Sequence, residues 1–159
     1  MQHKGFEQMQ CPVARSLDRV GEWWSILILR DAFKGMTRFD QFQKSLGIAP
    51  NMLTRRLTTL VESELLERRL YSDKPPRYEY VLTDKGRDFR PVLWALVHWG
   101  NKHFPPENET IVIVDAVTEE EVDPVIIDGR SGRVLRGPEF KTKKVPVRRT
   151  DLKKAGIPS

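Results

Sequence analysis

Asn51, Thr54 and Arg55 stand just after Pro50, interleaved with Leu53, Leu57, Leu60 and Val61. The four apolar residues recur at the 3.6-residue period of a helix, so the polar ones lie on or beside its opposite, wet face. Their chemistry is directed hydrogen bonding. A carboxamide sets a donor beside an acceptor and matches the major-groove edge of adenine; a guanidinium sets two donors side by side and matches guanine. A helix carrying such groups near its N-terminus is a candidate reader of a DNA major groove, which is wide enough to admit it. Arg56, at the flank of the same stretch, suits a phosphate or a carboxylate within the chain. The competing reading of this face is the solvated side of a purely structural helix.

Lys74 and Arg77 bracket Pro75-Pro76, Lys74 at the tip and Arg77 at the base of a polar, proline-rich segment between two runs that read as strands. Cations there meet phosphates or a minor groove, contacts that position a protein rather than specify a sequence; the alternative is a charged, exposed hairpin tip. Arg38, at the start of the preceding helical stretch, is a further phosphate candidate. Cys11 precedes Pro12. With proline as first helical residue the thiol sits at the N-cap, where the helix dipole favours a thiolate, which makes Cys11 a candidate redox sensor. The plainer reading is a thiol that only caps. A lone cysteine closes no intrachain disulfide and supports no Cys-based zinc site, and His3, His98 and His103 lack ligand spacing. There is no Gly-rich phosphate loop, GxSxG or HExxH. No catalytic residue, cofactor or metal is therefore expected.

The elements that must hold these groups follow from periodicity and punctuation. Pro12 to Val20 reads as a short helix, with Val13, Leu17 and Val20 on one side. Glu22 to Phe33 reads as a helix apolar nearly all round, which belongs at the centre of a core. Thr37 and Asp40 give a capping-box-like start to a third helix that Gly47 ends. A turn through Ile48-Ala49 leads into the helix at Pro50, which runs to about Glu64; the pair makes a helix-turn-helix candidate. Leu66–Tyr71 and Arg77–Leu82 read as the strands of a hairpin whose loop is too long for a two-residue turn. Thr83-Asp84 caps a long helix to about Phe104, kinked by Pro91. Beyond Pro105-Pro106, the runs 110–114 and 122–127 read as strands, Asp128 to Gly132 as a turn, and Val134-Leu135 as the start of a return strand.

Of 159 residues, 27 are basic and 22 acidic, a net charge of +5. The whole excess lies in residues 1–104, with 17 bases and 12 acids. Residues 105–128 hold eight acids and no base, and 129–159 hold ten bases and two acids. A basic domain suits nucleic acid without proving it. The longest apolar run, Trp23 to Leu29, is broken by Ser25 and stopped by Arg30-Asp31, far short of a membrane span. The N-terminus lacks the apolar stretch of a signal peptide. The expectation is a cytoplasmic protein with no membrane partner: a flexible 1–10, a DNA-binding domain over 11–104, and an extension over 105–159 that is partly β with a basic tail.

Separated motifs in this order resemble the HxlR family of bacterial winged-helix regulators: Cys11-Pro-Val-Ala-Arg, Trp24-Ser-Ile-Leu-Ile-Leu-Arg-Asp, Arg38-Phe-Asp-Gln-Phe, Leu53-Thr-Arg-Arg-Leu, Pro75-Pro-Arg-Tyr-Glu-Tyr-Val-Leu-Thr, Gly86 and Trp99-Gly100. The resemblance covers roughly Cys11 to Phe104. It implies an α+β, mostly α, winged helix-turn-helix with a C-terminal dimerisation helix, here followed by a small β-rich extension. It also implies a homodimer on double-stranded, pseudo-palindromic DNA, acting as repressor or activator and often answering oxidants, electrophiles or small molecules. Val13, Leu17, Val92, Leu96 and Trp99 are then the candidate dimer interface. One departure stands out: Ala49 occupies the cap position where the family usually has Ser. The second reading of the chain is a winged helix used for protein contact without specific DNA binding.

Overall fold

The computed structural model describes Ser16 and residues 19–146. Two compact units divide the chain, Met1–Val122 and Asp123–Ser159. The expected helix over 12–20 lies largely outside the described residues, with Arg19 and Val20 helical. Cys11, Val13 and Leu17 fall outside them as well.

In the first unit the order is α1 (Trp23–Phe33), α2 (Phe39–Leu46), α3 (Pro50–Glu62), β1 (Leu66–Asp73), β2 (Pro76–Leu82), α4 (Asp84–Arg87) and α5 (Arg90–His103). This is the expected winged helix-turn-helix. As its composition demands, α1 sits centrally and packs against α2, α3, β2 and α5. Ile28 and Leu29 are fully buried with Phe42 of α2, Leu53, Leu57 and Leu60 of α3, and Leu66 of β1. Trp23 departs from the all-round pattern and stays 75% exposed. The fully buried carboxylate of Asp31 ties α1 to α2: it accepts from Ser45 Oγ at 2.7 Å and from Arg30 Nε at 2.9 Å. A buried charge needs such partners, because desolvation without them costs several kcal/mol.

The cap of α2 lies one residue later than the sequence pattern suggests. Arg38 is the N-cap, and the Gln41 carboxamide, rather than Asp40, accepts from the backbone N–H groups of Thr37 and Arg38 at 3.0 and 2.9 Å. The shift arises because Thr37 and Arg38 serve the sheet. Tyr80 N donates to Thr37 O at 2.7 Å, and Arg38 bridges Glu79. Gly47 ends α2 with φ +60, a left-handed turn that glycine adopts at little cost, and so sets the sharp entry to α3.

The hairpin differs from expectation at its tip. Strand pairing extends to Asp73↔Pro76, which leaves Lys74-Pro75, joined by a cis peptide bond, as the turn. The extra length is absorbed by an irregularity between Leu70 and Ser72 that sets Tyr71 out of register. The long helix expected after Thr83 is two helices. Thr83 Oγ1 accepts from Gly86 N at 3.0 Å and caps α4 as read. Pro91 does not kink a continuous helix; it stands in the first turn of α5, after the break at Asp88-Phe89. A proline has no N–H for the preceding turn, and at a helix start none is needed.

After α5, Asn101 pins the chain: Nδ2 donates to Ile111 O at 2.9 Å, and Thr110 Oγ1 donates to its Oδ1 at 2.6 Å. The strands expected over 110–114 and 122–127 are reduced to single bridges, Val114↔Glu121 and, in the second unit, Ile127↔Val134. Each run pairs only across its own short turn, so no ladder extends. The second unit, described to residue 146, is built around that Ile127–Val134 turn.

Candidate nucleic-acid interface

The polar face of α3 is where the sequence puts it. Leu53, Leu57 and Leu60 are fully buried, and Asn51, Thr54, Arg55 and Thr58 are exposed. Helical spacing and Pro50 in the first turn account for this. The side chain of Arg55 makes no ion pair with another described residue, although its backbone carbonyl accepts from Thr59 Oγ1 at 3.1 Å. Thr54 Oγ1 donates to Pro50 O at 2.9 Å and keeps its lone pairs free for a donor.

Ala49 is the N-cap and offers no side-chain hydrogen bond. Asn51 takes over part of that task, since its Oδ1 accepts from Met52 N at 2.8 Å. That bond engages the acceptor of the carboxamide. A bidentate contact with adenine needs the acceptor too, so it requires the cap bond to yield.

Arg56 does not belong with these exposed groups. Its side chain is 11% exposed and meets Glu22, at the N-cap of α1, at 3.2 Å; its Nε is buried without a partner. Of the two partners that suit this residue, the intramolecular carboxylate is the one present, which leaves the guanidinium turned away from a phosphate. At the flank of the helix, the side chain folds back over the core instead of projecting from it.

The wing carries more cations than Lys74 and Arg77, which are both exposed at its tip. Arg68 pairs with Tyr80 across the hairpin and lies over the ring of its own diagonal neighbour, Tyr78, at 3.5 Å. Arg38 lies over the ring of Tyr71 at 4.9 Å. These stacks hold two guanidinium groups flat while leaving both residues exposed. Arg69 is spent locally: it donates to Glu67 at 2.9 Å, a bond that holds the Glu67 carboxyl below its usual range and raises Arg69. Arg68 was legible as a cation on an alternating strand, but its stack depends on the Tyr71 irregularity in register, which no spacing rule announces.

On α5 no residue is fully buried. Val92, Trp94, Leu96, Trp99 and Phe104 are all exposed, and Trp99 packs edge-on against Phe104 at 5.2 Å. Among the described residues there is no group of three or more metal-ligating side chains, and no helix long and apolar enough to cross a membrane.

A family model described as HxlR-like helix-turn-helix matches residues 19–108. Rv3095, an uncharacterized HTH-type transcriptional regulator of Mycobacterium tuberculosis, is 40% identical over 140 residues, which cover 82% of this chain and 89% of the relative. The crystal structure of PA1607, described as a transcription factor by proposal, matches with a TM-score of 0.78 at 39% identity, over 88% of this chain and 99% of that one. The reduced form of the redox regulator HypR matches with a TM-score of 0.55 at 31% identity, over 58% of this chain and 95% of that one.

Proposed function

Because the chain belongs to the HxlR-like helix-turn-helix family and is a transcriptional regulator of helix-turn-helix type, we propose that it acts as a cytoplasmic homodimer that binds a specific, pseudo-palindromic DNA operator. The observation that carries this reading is the exposed face of α3, where Asn51, Thr54 and Arg55 stand opposite a fully buried leucine stripe. Those three side chains read base edges. Lys74, Arg77 and Arg38, with Arg68 added from the stacked wing, meet phosphates or the minor groove. The exposed apolar face of α5, with Val92, Leu96 and Trp99, is covered by a second copy, together with Val13 and Leu17. Two α3 helices then reach half-sites about one helical turn apart. The direct test is a mobility shift with the DNA upstream of the protein's own gene. Affinity should fall by about 10³-fold or more between 50 and 200 mM salt if roughly six or more phosphates are neutralised. Failure to shift at low salt, under both reducing and oxidising conditions, would favour a winged helix that contacts protein instead.

A finer reading rests on the likeness to a redox regulator. Cys11 answers oxidants or electrophiles, and with a single cysteine per chain any disulfide joins two subunits or a small thiol. Diamide or a quinone should then change DNA affinity in the wild type and not in Cys11→Ser; an equal response of the two proteins removes Cys11 as the sensor.

A further inference from the structure

The two small turns after α5 are the same structure built twice, thirteen residues apart. In the first, Asp115 N donates to Glu120 O, Glu119 N to Asp115 O and Val122 N to Ile113 O, each at 2.9 Å. In the second, Asp128 N donates to Arg133 O, Gly132 N to Asp128 O and Leu135 N to Ile126 O, each at 2.8 Å. The bridges correspond, Val114↔Glu121 and Ile127↔Val134, and so do the left-handed residues, Glu119 at φ 59 and Gly132 at φ 68. Side chains repeat as well. The Asp115 carboxylate accepts from Val117 N and Thr118 N, and that of Asp128 from Arg130 N and Ser131 N. The hydroxyls of Thr118 and Ser131 accept from Glu120 N and Arg133 N.

On this shared scaffold the charges are opposite. Residues 111–122 carry Asp115, Glu119, Glu120 and Glu121 and no base; residues 124–136 carry Arg130, Arg133 and Arg136, with Asp128 as their one acid. Glu120 and Arg133 occupy the same hairpin position, and both are exposed. Equivalent apolar positions are left open in both: Val114 is 46% exposed and Ile127 54%, Val122 40% and Leu135 39%. A lone two-stranded hairpin is marginal in water and gains from a covering strand or face.

We propose that each of these two hairpins docks on a second copy of this chain, the acidic hairpin of one protomer lying on the basic hairpin of its partner. This rests on the homodimer reading. A two-fold axis makes such a contact twice, since residue i of one subunit meets j of the other and j meets i. Apolar positions supply the buried area, and the charges fix which hairpin meets which.

Charge reversal tests it on the full chain. One protein carries Glu119→Lys, Glu120→Lys and Glu121→Lys, the other Arg130→Glu and Arg133→Glu. Each alone then brings like charges together, whereas a mixture offers two basic hairpins to two acidic ones. With mass-distinct tags and native mass spectrometry, the ratio of heterodimer to homodimers should exceed its statistical value by about tenfold at low salt and fall back to it at high salt. A chain carrying all five reversals should self-associate like the wild type. Statistical mixing, with wild type dimeric by sedimentation, overturns this pairing and leaves the α5 dimer standing; a monomeric wild type at tens of micromolar overturns both.

Discussion

Removing Glu22 should destabilise the protein more than removing Arg56, although the two form one ion pair. Glu22 is 45% exposed and Arg56 is 11% exposed, with Nε already buried and unpartnered. When Arg56 is replaced by Met, the apolar stem remains, no buried charge is left behind, and Glu22 turns to water. Exchanges of a buried ion for an apolar side chain of similar volume are often neutral or better, so Arg56→Met should change stability by less than about 1 kcal/mol. Glu22→Ala strands the guanidinium. Leaving one buried partner uncompensated costs roughly 3–5 kcal/mol; partial exposure of the site and the flexible arginine stem reduce that to about 2 kcal/mol. The double variant should regain most of this loss, because the stranded charge is gone. Urea unfolding of all four proteins, followed by far-UV circular dichroism, measures the cycle, and DNA affinity measured in parallel should barely change in Arg56→Met. Equal costs for the two single variants, or a tenfold loss of DNA affinity in Arg56→Met, would refute the placement of Arg56 as a structural residue.

Three further outcomes follow from local geometry. Gly86 is buried, and a Cβ there falls on the Leu65 carbonyl, which also accepts from Thr83 N; Gly86→Ala should cost about 3 kcal/mol, read as a lower urea midpoint at unchanged slope. Glu64 follows α3 at φ 59, where Leu65 N reaches back to Leu60 O and Glu64 N to Val61 O; Glu64→Gly should raise stability by about 1 kcal/mol despite losing an exposed contact with Lys85, and no gain in thermal midpoint would contradict it. The hydroxyl of Ser131 and then the Arg130 N–H hold the Asp128 carboxyl below its usual range, and the N–H groups of Thr118 and Val117 do the same for Asp115. For a lowered carboxyl the stabilisation is complete above the unfolded pKa and lost as pH falls through the folded one, so the amide shifts of Thr118 and Ser131 should titrate below the ordinary Asp range near about 3.9; titration above that range would contradict it.

The helices and the wing were legible because each is set by a short-range rule. The stripe of Leu53, Leu57 and Leu60 alone orients α3, and Thr83 alone starts α4. Where a residue serves two elements, local rules misplace it. Thr37 is a good cap by type, but the sheet takes its carbonyl, so Arg38 caps instead. Pro91 fits a kink or a start equally well in sequence, and the choice depends on where α4 stops. Among the candidate contacts, periodicity separates Asn51 and Arg55 from the core, yet Arg56 lies at the boundary of the faces, where packing against Glu22 decides. The duplicated hairpins are not legible in the sequence because the repeat lives in backbone hydrogen bonds. Only Asp, a hydroxyl residue and scattered β-branched positions recur, while the charges that invert between the copies hide it.

The central claim is that α3 reads base edges. The most direct measurement is the affinity of wild type, Arg55→Ala and Lys74→Ala for the operator and for a set of its single-base variants, at one fixed salt concentration. Arg55→Ala should lose about 1–3 kcal/mol on the operator and become indifferent to the base at one position per half-site, whereas Lys74→Ala should weaken every sequence by a similar factor. An Arg55→Ala protein that keeps both the wild-type affinity and the wild-type base preference would contradict the account.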